Sequence, residues 1–308
     1  MGTMRPRHDT TRGPFDGLTD SWLLALESEG KSPRTLESYL LGAQQLAAWL
    51  TTNGHADDVR TLTPTQVRGW LADLAATRSP ETCRTRYVAV RQFIGWCIAE
   101  GETETNAMAN VSQPRTVPKR VEVLRPEQLK ALLADCGGSG FADLRDHALI
   151  LLFADTGCRL SGVVGLSEGD VDLRERTALV RLKGGRELVL PFGATTARAL
   201  DKYLRAKRRQ PYGERDWLWL SSTAKGRLTG NGVQQMLRRR GTRLGLHLHP
   251  HMFRHGFADA WLRAGGGETD LMEITGWRSR QMVGRYAAAS RQDRARQAHR
   301  KLSPMDGL

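Results

Sequence analysis

The sequence predicts a mainly helical chain of two domains: an all-α N-terminal domain and a C-terminal α+β domain with a small antiparallel sheet. Three observations carry this. Ser-Pro or Thr-Pro pairs recur at Ser32-Pro33, Thr63-Pro64 and Ser79-Pro80, each just ahead of apolar residues at helical spacing. One segment, "TALVRLKGGRELVLPF", alternates around a Gly-Gly turn as a β-hairpin does. Between the helical first part and the rest, "NAMANVSQPRTVPKRVEV" loses all periodicity. At 308 residues the chain exceeds the common single-domain size and can bury a sizeable core.

In each Ser/Thr-Pro pair the hydroxyl serves as N-cap and the proline fills the first helical position, where a missing N–H costs nothing. Gln66, three residues after Thr63, completes a capping-box pattern. With "SWLLALESEG" ahead of them, these starts predict four or more helices over about 15–104. Residues 105–122, with Pro114, Pro118, Lys119 and Arg120, read as an extended basic linker. The second domain, 123–303, opens with the proline-started helix "LRPEQLKALLADCGG". Next comes "LRDHALILLFADTGCRLSGVVGL", an apolar helix broken at Thr156-Gly157 and restarted through Arg159. Lys183 falls at the bend of the hairpin, helices follow it, and a polar basic tail runs from Ser290.

Composition narrows the function. Lys+Arg 46 against Asp+Glu 33 gives a net charge of +13. That excess points first to a polyanionic partner, nucleic acid above all, although a solvated basic surface or a membrane-surface binder carries the same signature. The longest apolar run, "ALILLFA", falls well short of the ~20 residues that cross a bilayer, and "MGTMRPRHDTTRGPF" has no signal-peptide core. The four cysteines lack CxxC spacing, which argues for reduced thiols in a cytoplasm and against a zinc ribbon.

Chemistry concentrates in "HPHMFRHGF", residues 249–257. Pro250 suits the first position of a helix, which puts His251 and Arg254 together in its first turn, where unpaired N–H groups favour an anion. His247, His249 and His251 alternate as metal ligands on a strand would, but Pro250 interrupts that strand and no carboxylate accompanies them. No cofactor or metal is expected. There are no paired acidic residues at metal-binding spacing and no GxxxxGK phosphate loop. A phosphodiester reacting in line then needs several fixed cations. Arg159, Lys183, His251 and Arg254, followed by Tyr286 in "WRSRQMVGRYAAAS", supply an ordered set. Taken singly, each has a duller reading as a surface or packed residue.

In "TGCRLSGVVGL", "LKGGRELVLPF", "HPHMFRHGFA", "TGWRSRQM" and "VGRYAAAS" the sequence resembles the tyrosine recombinase (phage integrase) family, over nearly its whole length and in the family's order. The resemblance implies a SAM-like core DNA-binding domain ahead of a catalytic domain. It implies Arg159, Lys183, His251, Arg254 and Trp277 as catalytic residues, with Tyr286 as nucleophile forming a 3'-phosphotyrosyl bond without ATP or metal. Double-stranded recombination sites, a homo-tetramer on paired sites and an accessory directionality factor are the implied partners, in the cytoplasm and on the nucleoid when bound to DNA. The tail is expected to dock on a neighbouring subunit. Relatives commonly carry a carboxylate where this chain has Gly162; Asp155 or Asp259 is the candidate substitute, and the sequence does not choose between them.

For DNA contact the sequence offers Lys31 and Arg34 at the first Ser-Pro start and Arg84, Arg86 and Arg91 on the helix from Ser79. It adds Lys119 and Arg120 in the linker, and Arg238, Arg239, Arg240 and Arg243 in the second domain. The alternatives are a type IB topoisomerase, with similar chemistry, and a degenerate recombinase that only binds DNA.

Overall fold

The computed structural model describes residues 14–116, 122–182, 185–222 and 226–287, with 295, 296, 299, 300, 303 and 305. For Pro14, Asp16 and residues 285–287 it describes the backbone. The chain divides into two compact units, Met1–Lys119 and Arg120–Leu308.

The first unit is built from helices α1 (Pro14–Ser28), α2 (Pro33–Thr52), α3 (Pro64–Thr77) and α4 (Pro80–Ala99). Ser32, Thr63 and Ser79 each accept a backbone N–H at the start of a helix, and Thr63 with Gln66 closes a full capping box. Each such cap is worth about 1 kcal/mol. Trp22 of α1 and Phe93 of α4 meet with ring centroids 5.1 Å apart, and Phe15 lies 5.0 Å from Phe93. A Cβ at Gly42 would run into the Cβ of Ala89, so glycine is what lets α2 and α4 approach closely.

The structure corrects the start of the linker. Ala107, Met108 and Val111 are buried in the first unit's core, and the Tyr87 hydroxyl donates to the Val111 carbonyl at 2.9 Å. Their apolar side chains outweigh the lack of periodicity, so this stretch belongs to the helical unit.

The second unit starts with α5 (Pro126–Asp135), α6 (Phe141–Thr156) and the short α7 (Leu160–Gly165). Strands β1 (Val171–Asp172), β2 (Thr177–Arg181) and β3 (Glu187–Pro191) then form a three-stranded antiparallel sheet in sequence order. Ala178 pairs with Leu190 and Val180 with Leu188. The hairpin is the one the sequence predicts, with β1 added at its edge. Helices α8 (Ala194–Lys207), α9 (Gly230–Arg243), α10 (Pro250–Arg263), α11 (Glu268–Thr275) and α12 (Arg280–Ala287) follow.

Helix α6 runs through the middle of this unit and carries buried Ala148, Leu149, Leu152 and Phe153 beside a charged pair, Arg145 and Asp146, which is also buried. Asp146 accepts from Arg145 at 2.6 Å and from Arg240 of α9 at 2.7 Å. Arg240 also bonds Asp143 at 2.7 Å and Asp135 at 3.0 Å. Burial opposes the Arg240 charge, but the bonds from Asp143, Asp135 and Asp146 outweigh it and hold the guanidinium above its usual range. Arg243 joins at Asp135, whose carboxyl is held low chiefly by that bond. Arg240 and Arg243, expected as DNA contacts, are therefore taken up in an internal network that ties α5, α6 and α9 together.

Candidate active site

Helix α6 ends at Gly157, which adopts φ 59°, and the chain restarts with Arg159 as the first residue before α7. A Cβ at Gly157 would stand 2.6 Å from the Phe257 ring, so both conformation and space require glycine. The sharp turn leaves Cys158 buried and puts Arg159 out into solvent. Burial pushes the Cys158 thiol up to about 11, which keeps it neutral.

Arg254 sits on α10 and is only 3% exposed. Its Nη1 donates to the Gly157 carbonyl at 2.7 Å and its Nη2 to the Thr275 carbonyl at 2.8 Å. Its guanidinium lies over the Trp277 indole, 4.9 Å from the ring centroid. A contact of this kind contributes about 0.5–2 kcal/mol. Trp277 is 5% exposed and follows Gly276, whose φ of 66° ends α11.

These side chains meet around one cavity of about 770 Å³. Arg159, Arg254 and Trp277 line it, together with Arg181, Arg186 and Arg278. Among the described residues its lining holds five arginines and no carboxylate. Such a site suits an anion with several oxygens. Neither candidate substitute for the carboxylate at Gly162 reaches it. Asp155 accepts from Gly193 N and Thr196 Oγ1 at the start of α8, and Asp259 pairs with Arg263 at 2.7 Å along α10.

The remaining site residues are less gathered. His251 is exposed on the first turn of α10, outside the cavity lining, with its ring 6.1 Å from that of His255. Burial, with the charges of His251, His249 and Arg254, pushes His255 down to about 4, so it is neutral near pH 7. The backbone of Tyr286 lies in α12, which packs on α10 through Val283, Ala258 and Leu262; its side chain lies outside the described residues. Lys183 lies outside them too, although Leu182 and Arg186 on either side of it line the cavity. Among the described residues no group of three or more His, Cys, Asp or Glu is placed to hold a metal.

Of the DNA-contact candidates, Arg34, Arg91 and Arg238 are exposed. Lys31 pairs with Glu29 at 3.0 Å, and Arg84 donates to Thr116 at 3.3 Å. Arg239 lies 3.9 Å from Asp146. Arg86 is half-buried and bonds the Ser38 carbonyl of α2 at 3.1 Å, which makes it a tie between helices. Lys119 and Arg120 fall outside the described residues. Sequence reasoning missed Arg181, Arg186 and Arg278. The signal was there in "KGGR" and "TGWR", where an arginine stands beside a residue already singled out.

Comparison with known proteins identifies the family and the fold. The phage integrase family matches residues 122–293, and the phage integrase N-terminal SAM-like domain matches 19–101. Tyrosine recombinase XerC of Xanthomonas campestris pv. campestris (strain B100) is 29% identical over 274 residues, covering 86% of this chain and 83% of its own. XerC of Chromobacterium violaceum is 32% identical over 250 residues, 80% of this chain and 81% of its own. The fold matches XerH recombinase bound to palindromic difH substrate, with TM-score 0.71 and 17% identity over 86% of this chain and 79% of that one. It also matches a lambda integrase dimer bound to a COC' core site, with TM-score 0.70 and 17% identity over 88% and 76%. No helix among the described residues is long and apolar enough to cross a membrane. The chain belongs to the phage integrase family and is a tyrosine recombinase, an enzyme of site-specific DNA recombination.

Proposed function

We propose that the chain cleaves and rejoins DNA through a 3'-phosphotyrosyl intermediate, with Tyr286 as nucleophile and no need for ATP or metal. The observation that carries this is the meeting of Arg159, Arg254 and Trp277 around one arginine-lined cavity that holds no carboxylate among the described residues. The two arginines neutralise charge growing on the non-bridging oxygens, where losing one such donor costs about 100- to 1000-fold in rate. Trp277 supplies an apolar wall. His251, three residues before Arg254 on α10, hydrogen-bonds the phosphate and exchanges a proton with the tyrosine hydroxyl. The tyrosine oxygen bonds to phosphorus as the bond to the 5'-oxygen breaks, and Lys183 gives that oxygen its proton. The phosphotyrosyl bond keeps the diester's energy for rejoining.

The substrate in this reading is a pair of double-stranded sites held by a homo-tetramer in the cytoplasm, and an accessory factor sets direction. A lambda integrase tetramer bound to a Holliday junction shares the fold, with TM-score 0.68 and 16% identity. The helical region 15–104 grips DNA with Lys31, Arg34, Arg84 and Arg91. Lys119 and Arg120 follow the strand, Arg238 and Arg239 add contacts from the catalytic region up to 303, and the tail joins subunits.

The test is Tyr286→Phe on a nicked suicide substrate, read on a denaturing gel beside a gel shift. Covalent attachment is expected to vanish while DNA binding stays within about twofold, because only one hydroxyl is removed. Attachment that persists moves the nucleophile elsewhere. Tyr203 is a poor substitute: it is buried, and its hydroxyl donates to Leu218 O and accepts from Leu220 N.

A further inference from the structure

The cavity holds more cationic surface than one phosphate requires. Of the five arginines among its described lining residues, Arg159 and Arg254 serve the scissile phosphate in the reading above. Arg181 is paired with Asp170 at 2.8 Å and lies 3.6 Å from Glu187. Arg186 and Arg278 are different. Both are exposed and both line the cavity. Among the described residues no carboxylate pairs with either.

A shared wall holds these two arginines in place. Leu182 N donates to the Arg186 carbonyl at 2.6 Å, which closes the base of the β2–β3 hairpin. A Cβ at Gly276 would stand 3.4 Å from Leu188 and 3.5 Å from Leu182, so the hairpin base rests on the turn that carries Trp277 and Arg278. Trp277 N is fixed in turn by the Met272 carbonyl at 3.0 Å. Arg186 and Arg278 thus come from distant parts of the sequence and stand on elements that pack on each other through Leu182 and Leu188, beside the cations that face the reacting group.

Unpaired surface arginines are ordinary, and most contribute little. Two of them on one wall of a cavity with no carboxylate among its described lining residues suit a substrate that is itself a row of phosphates. We propose that Arg186 and Arg278 form a second phosphate clamp, which holds the phosphate next to the scissile one and so fixes the strand for in-line attack. Their forked donors match phosphate oxygens in a way that a lysine ammonium does not. They act as positioning residues, since neither touches the reacting phosphorus. A misplacement of about 1 Å at a reacting centre costs on the order of 100-fold. This inference rests on reading the cavity as the strand-transfer site.

The test compares the native protein, Arg186→Ala, Arg278→Ala and the double variant on three nicked suicide substrates. One is unmodified, and the other two carry a neutral methylphosphonate at the phosphate on one or the other side of the scissile position. The double variant is expected to attach about 30- to 100-fold more slowly to unmodified DNA. The native protein should be slowed to a similar degree by one of the two neutral phosphates, and the double variant should lose nothing further on that same DNA. Arg159→Ala, by contrast, should add its loss to that of either neutral phosphate. Losses of the double variant that multiply with both neutral phosphates overturn the clamp, as does a double variant as fast as the native protein. If the native protein attaches to none of the substrates, the strand-transfer reading falls, and the clamp with it.

Discussion

At position 162 the chain has no room for a side chain. A Cβ there would stand 2.8 Å from the Cys158 sulfur and 2.8 Å from Val180 of β2. The residue that lacks the usual carboxylate is therefore also the one that lets α7 close against the sheet behind Arg159. Gly162→Glu is expected to push these elements apart: overpacking of this kind costs about 1–3 kcal/mol, and the shift moves the start of α7. The prediction is a lowered melting temperature together with slower covalent attachment. A variant that attaches faster at unchanged melting temperature would show that the carboxylate is wanted and tolerated. The break before Arg159 was legible from the sequence because Thr156-Gly157 is a local pattern. The seating of Gly162 was not, since Val180 lies on a separate strand and its approach depends on how the sheet packs.

Among the elements, the proline-started helices were read correctly because capping is decided within four residues: Thr63 and Gln66 need only each other. The hairpin was legible for the same reason, its alternation and Gly-Gly turn being contiguous. The third strand was not, because two residues, Val171 and Asp172, carry no visible period. The linker was misjudged where Ala107, Met108 and Val111 find their partners on helices far back in the chain. The hairpin turn bears a prediction of its own. Lys183 as proton donor to the departing 5'-oxygen matters only while that oxygen needs a proton, and a 5'-bridging sulfur does not. Lys183→Ala should attach very slowly to ordinary DNA and recover most of its rate on the sulfur-substituted strand, while Arg159→Ala stays slow on both. Equal slowness of Lys183→Ala on the two substrates assigns the proton to His251 or to water.

The molecule as a whole carries a net charge of +13, and the sequence could not say which cations face DNA and which hold the fold. Arg240 shows why: its partners Asp146 and Asp135 lie 94 and 105 residues away, so nothing local distinguishes it from exposed Arg238. Arg240→Met would leave Asp135, Asp143 and Asp146 short of their shared cation. Breaking a buried network from one side costs about 3–5 kcal/mol. Chemical denaturation should show that loss in the second unit, whereas Arg238→Met should leave stability unchanged and weaken DNA binding. If Arg240→Met costs less than about 1 kcal/mol, then Arg145 at Asp146 and Arg243 at Asp135 are enough to hold those two acids.

Arg254 bonds the carbonyl of Gly157 on one side and that of Thr275 on the other, so it supports the turn leading to Arg159 as well as the one leading to Trp277. The two arginines then differ in how their loss can be repaired. Arg159→Ala removes an exposed side chain from an intact perch and leaves a hole open to solvent. Free guanidinium added to the buffer should settle there and restore part of the attachment rate, saturating with concentration. Arg254→Ala takes away the strut that shapes both turns, and a dissolved cation has no backbone to rebuild them. Chemical rescue is expected for the first variant and not for the second; equal rescue of both would reduce Arg254 to a charge like any other.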